Sequence, residues 1–297
     1  MKIQKIIISV IACVALSQCK KDSEESYSNE NIVIDNAQAS LYFHTVFREA
    51  EDAWAFIHSK DYEKGVYTDP ANTSAVYKTT SFTAESETKD SVFIEYHDWK
   101  PNHVTLTGRI IVVFDNDSSY RKDGKTANVI LSGFSINGQN VAGESTMRYR
   151  KAANNNDQYT YTLLNGSAIC EKGNSMPVLI SCAIANAQYE RVKGSKPLES
   201  EEDDDEGEED DEDDVWAFSG TMSGMLHNDP NLKYTNTVTA TPYMLNDETK
   251  NGRVHFTKDC RTASEGISQV RISGRPDIVY IYVCSYIYFE STTLHLK

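Results

Sequence analysis

The sequence predicts a mainly β chain, one or more antiparallel sheets of meander or sandwich type with a single N-terminal α-helix. Three observations carry this. Beyond residue 62, Tyr, Thr, Val and Ile gather in runs of strand length. Turn dipeptides punctuate those runs, among them Asp123-Gly124, Asn137-Gly138 and Asn165-Gly166. No helical pattern intervenes between consecutive runs, which favours antiparallel neighbours over a βαβ arrangement.

Residues 1–18 read as a leader. Lys2 and Lys5 make the opening positive, and residues 6–16 form a mostly apolar stretch. A helix needs about 20 apolar residues to cross a bilayer, so this stretch suits a signal peptide and not a span. Leu16-Ser17-Gln18-Cys19 then resembles the lipobox of bacterial lipoproteins, with Gln18 where a small residue is usual. That resemblance implies cleavage before Cys19, lipid on its sulfur and attachment to a membrane. Residues 19–34 are expected to form a flexible tether. Its start, Lys20-Lys21-Asp22-Ser23-Glu24-Glu25, resembles the tethers of Bacteroidota lipoproteins displayed outside the outer membrane; a periplasmic-facing anchor is the alternative.

Residues 35–60 carry a helical stripe. Asp35 is a candidate N-cap, and Ala37, Leu41, Phe47, Ala50, Trp54 and Ile57 recur mostly at three- and four-residue steps. Phe43, Val46 and Ala53 widen the stripe. Trp54 reads as core in preference to a ligand platform. A first antiparallel β region is expected over 61–197, with strands at 104–114, 128–136, 141–150 and 159–164. A second is expected over 215–297, with strands at 215–225, 234–243, 254–260, 269–273 and 278–289.

Between them lies an acidic block at 198–214, a disordered linker or loop. Residues 199–214 hold 14 acids and no base, so the formal charge of −15 falls to −1 without them. The bases are scattered as Lys20-Lys21, Arg121/Lys122/Lys125 and Arg148/Arg150/Lys151. No long basic run exists to neutralise phosphates, which sets nucleic acid aside as a partner.

Of six cysteines, Cys13 leaves with the leader and Cys19 takes the lipid; Cys170, Cys182, Cys260 and Cys284 remain. Four cysteines allow three pairings. The local one, Cys170–Cys182 and Cys260–Cys284, is expected because each pair straddles a candidate hairpin and an exported chain permits disulfides. Zinc needs closely spaced ligands, and no C-x-x-C occurs.

The search for chemistry finds no catalytic motif. Gly220-Thr221-Met222-Ser223-Gly224 lacks the nucleophile-elbow spacing. His97, Asp98 and His103 are the nearest approach to a metal cluster, though polar turn residues explain them equally. Neither a metal nor a cofactor is expected. Tyr280, Tyr282, Cys284, Tyr286 and Tyr288 alternate with Ile281, Val283, Ile287 and Phe289, which on one continuous strand makes a tyrosine face. That face is either a stacking platform for sugars or a partner protein, or a packing surface above a strand buried on its aliphatic side.

Three segments, Gly108-Arg109-Ile110-Ile111-Val112, the stretch 127–138 ending in Ile136-Asn137-Gly138, and Val141-Ala142-Gly143-Glu144-Ser145-Thr146, resemble a group of β-rich Bacteroidota lipoproteins to which no activity is attached. In that group a G-K-I-I-V strand precedes a V-N-G…V-x-G-T hairpin; here Arg109, Ile136 and Glu144 replace Lys, Val and Thr. Phe218-Ser219-Gly220-Thr221 onward to Cys260 and Cys284 is similar to its second half. The resemblance implies a fold and an address.

The expected function is therefore non-catalytic: a lipid-anchored envelope protein that binds a glycan or an envelope protein, or has a structural role. The alternative is a glycan-active enzyme or accessory glycan-binding protein of a polysaccharide-uptake system. Replacing the candidate acylation site, Cys19→Ser, is expected to release the protein from the membrane fraction and leave its mass without lipid; unchanged fractionation and mass would refute the anchor.

Overall fold

The computed structural model describes residues 28–57, 66–68, 75–84, 87–100, 104–114, 122–170, 178–192, 215–226 and most of 229–295. Helix α1 (Asn29–Ile57) starts six residues before the expected boundary. Its cap is Ser28, whose Oγ accepts from Asn31 N at 3.3 Å. Asp35 is buried within the helix, and Ile32 and Val33, assigned by sequence to the tether, are buried too. Two apolar side chains with a burial site outweigh the polarity of the segment around them.

The strands are β1 (Val66–Thr68), β2 (Ala75–Ala84), β3 (Glu87–Trp99), β4 (Leu106–Phe114), β5 (Thr126–Ile136), β6 (Gln139–Lys151), β7 (Asp157–Cys170) and β8 (Val178–Val192). They continue as β9 (Val215–Leu226), β10 (Lys233–Val238), β11 (Tyr243–Leu245), β12 (Glu248–Lys250), β13 (Val254–Phe256), β14 (Ala263–Ile272), β15 (Ile278–Val283), β16 (Tyr286–Phe289) and β17 (Thr292–His295). The described residues are mainly β with one helix, as the strand runs, turn spacing and apolar stripe imply. One antiparallel meander runs from β1 to β10 and on through β14 to β17, and β11 and β12 form a separate hairpin. Strand β13 lies beside β9 and β14, in line with β10. Strands β8 and β9, on either side of the acidic block, pair directly through Val192 and Val215. The segments before and after that block thus belong to one sheet; residues 193–214 lie outside the described residues.

A diagonal row of bulges curves this sheet. Register shifts fall at Tyr96/Trp99, Thr107/Arg109, Ile130/Ser135, Ala142/Glu144, Leu163/Gly166 and Ala185/Gln188 on successive strands. Left-handed residues sit at or beside them: Asp98, Gly108, Gly133, Gly143, Asn165 and Asn186. Each bulge bends its strand and sharpens the local twist. At Gly108, with φ of 97°, a Cβ would run into the Gly133 carbonyl, so two strands approach there as only glycine allows. Asn165-Gly166, expected to end a strand, is one of these bulges within β7. Asn137-Gly138, with φ of 53° and 77°, does make the tight β5–β6 turn.

The curved sheet encloses α1. The helix is buried nearly all round and not along one stripe. Phe47 stacks on Tyr189 of β8 at 3.8 Å and meets Trp216 of β9 and Tyr159 and Tyr161 of β7 edge-on. His44 stacks on Phe256 of β13 at 3.4 Å. Three of the helix's polar side chains meet tyrosine hydroxyls: Tyr96 of β3 donates to Glu49 at 2.7 Å, Tyr159 donates to Glu51 at 3.3 Å, and Asn36 donates to Tyr280 of β15 at 2.7 Å. Trp54 lies in the helix, but its side chain is outside the described residues.

Phe47 touches three strands at once, so its removal leaves a cavity the sheet cannot close. Phe47→Ala is expected to lower unfolding free energy by about 3–5 kcal/mol in denaturant titration; a loss below about 1 kcal/mol would show that the helix does not fill the enclosure.

Candidate binding groove

The structure divides the tyrosine stripe. Residues 278–289 form two paired strands, with Ile281 opposite Tyr288 and Val283 opposite Tyr286. Tyr280 and Tyr282 are buried on the inner face, with their hydroxyls 3.1 Å apart beneath Asn36 of α1. Facing residues of an antiparallel pair share a side of the sheet, so Tyr286 and Tyr288 stand in register with the aliphatic positions, opposite in phase to Tyr280 and Tyr282. Tyr280 and Tyr282 are therefore not part of an open platform. At β15 it is also the tyrosine side that is core, because Ile278, Tyr280 and Tyr282 are buried while Val279 and Ile281 are partly exposed. The side chains of Tyr286 and Tyr288 lie outside the described residues.

The Cys170–Cys182 disulfide does not form: both thiols are free and buried. Cys170 pairs with Val178 and Cys182 with Gly166, four residues away along β8. That is on the order of 13 Å of strand, while a disulfide needs Cα atoms within about 7 Å. The expected pairing fails because Cys182 stands four register positions along β8 from the residue that faces Cys170. Burial pushes the Cys182 thiol up to about 12; burial, with Asp35 and Cys182 nearby, also raises Cys170 well above its ordinary value. Both are inert, protonated thiols at neutral pH. Cys19, Cys260 and Cys284 lie outside the described residues.

His97 is exposed, Asp98 accepts from Thr107 Oγ1 at 2.8 Å, and His103 lies outside the described residues. Asp98 owes its place to the β3 bulge, where its φ is 54°.

The outer face of β5–β8 carries a candidate site. An open groove of roughly 430 Å³ is lined by Asp123, Gly124, Thr126, Thr146, Arg148, Arg150, Thr160, Thr162 and Asn186. Strand alternation places these side chains: Met147, Tyr149, Tyr159 and Tyr161 point inward and are buried, so their neighbours point out. Register then forms cross-strand rows. Arg148 lies between Thr126 and Thr160. Thr146 lies between Asn128 and Thr162, and its hydroxyl bonds Asn128 Oδ1 at 3.1 Å. Asn186, raised at the β8 bulge, closes the second row 3.5 Å from Thr162 Oγ1. The size falls within the range of small-ligand pockets.

Two basic segments that are separate in sequence meet at the groove's end. Gly124 N donates to Tyr149 O at 3.0 Å, Tyr149 N to Lys125 O at 2.8 Å, and Lys151 N to Asp123 Oδ1 at 3.2 Å. These bonds bring Lys122 and Lys125 beside Arg148, Arg150 and Lys151. Sequence reasoning treated the two groups as isolated. A strand-pairing argument across the expected 128–136 and 141–150 hairpin would have joined them.

The acids near this cluster are already engaged. Asp157 accepts from Lys151 Nζ at 2.9 Å and from the Tyr149 hydroxyl at 2.7 Å. Glu190 accepts from Asn154, Asn156 and Arg253, the last at 2.6 Å. Burial pushes the Glu190 carboxyl up, but the hydrogen bonds from Asn154, Asn156 and Arg253 and the Arg253 charge outweigh it and hold the group below its ordinary value.

A carboxylate with a depressed value contributes stability above the ordinary glutamate range and loses it as pH falls through the lowered value. Glu190→Gln is therefore expected to cost about 1.5–3 kcal/mol at pH 7. The gap in Tm between Glu190→Gln and the native chain should close below about pH 4. A gap independent of pH would refute the charge-based account.

Comparison with family models, curated proteins and solved structures finds no match, so the reading of this groove rests on its own chemistry.

Proposed function

We propose that this is an exported, lipid-anchored protein that binds a glycan strand without transforming it, in the groove on β5–β8. One observation carries the reading. Hydroxyl, amide and guanidinium groups converge in a groove on strands whose opposite face is packed against the core. Such groups match the hydroxyl-rich edges of sugars, and a rigid sheet holds them without the entropy cost of ordering a loop.

Two further facts support it. Outward positions of β5–β8 include Asn128, Arg148, Arg150, Gln158 and Gln188, which do not supply the apolar outer band of a membrane barrel; attachment then falls to the lipid proposed on Cys19. The enzymatic alternative needs two facing carboxyl groups about 5–10 Å apart. Among the described lining residues Asp123 is the one carboxylate, and it accepts from Lys151 N.

The test is electrophoresis of the purified mature protein through native gels containing neutral or charged polysaccharides. At least one polysaccharide should retard the protein, and Thr146→Trp, which fills the groove, should abolish the retardation. Mobility indifferent to every polysaccharide, or retardation unchanged by Thr146→Trp, would overturn the reading.

A further inference from the structure

Arg148 and Arg150 have a property that most charged side chains near them lack. Lys151 and Arg253 each make an ion pair with an acid, and so does Arg109, with Glu95. Arg148 and Arg150 are exposed, project from the same side of β6, and take part in no ion pair among the described residues. Of the acids near them, Glu190, in the row Arg150–Gln158–Glu190, is engaged by Arg253, Asn154 and Asn156, Asp157 by Lys151 and Tyr149, and Asp123, which lines the same groove, accepts from Lys151 N. Residues two apart on a strand are about 7 Å from each other. The groove thus presents two guanidinium groups at a fixed spacing, beside Lys122 and Lys125, with Asp123 the one carboxylate among its described lining residues.

A guanidinium presents parallel N–H donors that match the paired oxygens of a carboxylate or sulfate. In the row through Arg148 those donors are flanked on both sides by hydroxyls, Thr126 and Thr160. Hydroxyls beside a guanidinium fit a ligand whose anionic group is carried on a polyhydroxylated ring. A bare polyanion would leave them without a specific partner.

We propose that the groove selects saccharides bearing carboxylate or sulfate groups, with Arg148 and Arg150 taking the anions and Thr126, Thr146, Thr160 and Thr162 the ring hydroxyls. This rests on the glycan-binding reading above and names the ligand's charge.

The purified mature protein is tested for binding to four immobilised probes: polygalacturonate for carboxylate, dextran sulfate for sulfate, unmodified dextran as the neutral sugar, and single-stranded DNA as a polyanion of another class. At least one anionic polysaccharide should bind tenfold or more tightly than dextran and DNA, and added NaCl should weaken it. Which of the two binds identifies the anion. The Arg148→Gln/Arg150→Gln double variant should lose at least tenfold for that probe, with thermal melting unchanged because both positions are exposed. A control that removes the same charge elsewhere, Lys100→Gln/Lys233→Gln, should lose less than threefold. Arg148→Lys, which keeps charge without the fork, should fall between. Dextran bound as tightly as the anionic polymers would overturn this inference and leave the glycan reading standing; no binding of any saccharide would overturn both. DNA bound equally well, or an equal loss in the control variant, would show an unselective charge effect and also overturn it.

Discussion

The structure depends on burying a helix that has no fully apolar surface. Asn36, Gln38, His44, Thr45, Glu49 and Glu51 are buried along α1 together with its apolar residues. Burying a polar group without a partner costs several kcal/mol, so the enclosure must supply partners from many directions. Tyrosine meets that requirement at Asn36, Glu49 and Glu51. Its ring fills volume between strand and helix, and its hydroxyl reaches the helix's carboxylates and amides, as at Tyr96–Glu49, Tyr159–Glu51 and Asn36–Tyr280. Tyr96, Tyr159 and Tyr280 are thus explained by what the helix buries, and the inner face carries them.

Enclosure in turn requires curvature, which the bulge row provides. Without left-handed residues at positions such as Gly108, Gly143, Asn165 and Asn186, long strands like β6, β7 and β8 would twist but not wrap. The same bulges shape the exterior. Asn186 stands in the groove because the β8 bulge turns it outward, and the register on either side aligns Thr126 with Arg148 and Thr160. Inner packing and outer site are consequences of one set of backbone irregularities, and a core that fixes the inner rows fixes the outer ones with them.

Net charge is a poor guide to this surface. A chain with formal charge −15 presents a local basic cluster, because 14 acids sit in residues 199–214 and the acids beside the cluster are engaged by other donors. Short-range pairing decides what a ligand meets within a Debye length of about 8 Å, and total charge does not.

The sequence by itself determined the class of the fold, the one helix among the described residues, the Asn137-Gly138 turn and most strand positions from 104 to 226. Each depends on local chemistry: alternation, turn residues that accept positive φ, and three- and four-residue apolar steps. It also contained the Arg148/Arg150/Lys151 group, but as one minor cluster among three. Only the tertiary structure decided which face of each strand is inside. The tyrosines of β15 are core because α1 offers Asn36 across from them, a partner 244 residues away. Cys170 and Cys182 stay apart because the register sets Cys170 opposite Val178 and Cys182 opposite Gly166, and Ser28 displaces Asp35 as the cap because the enclosure extends far enough to bury Ile32 and Val33. The binding groove too is a product of register. Strand periodicity predicts that a residue points outward, but it does not state which outward residue of the next strand stands beside it once a bulge has shifted the count.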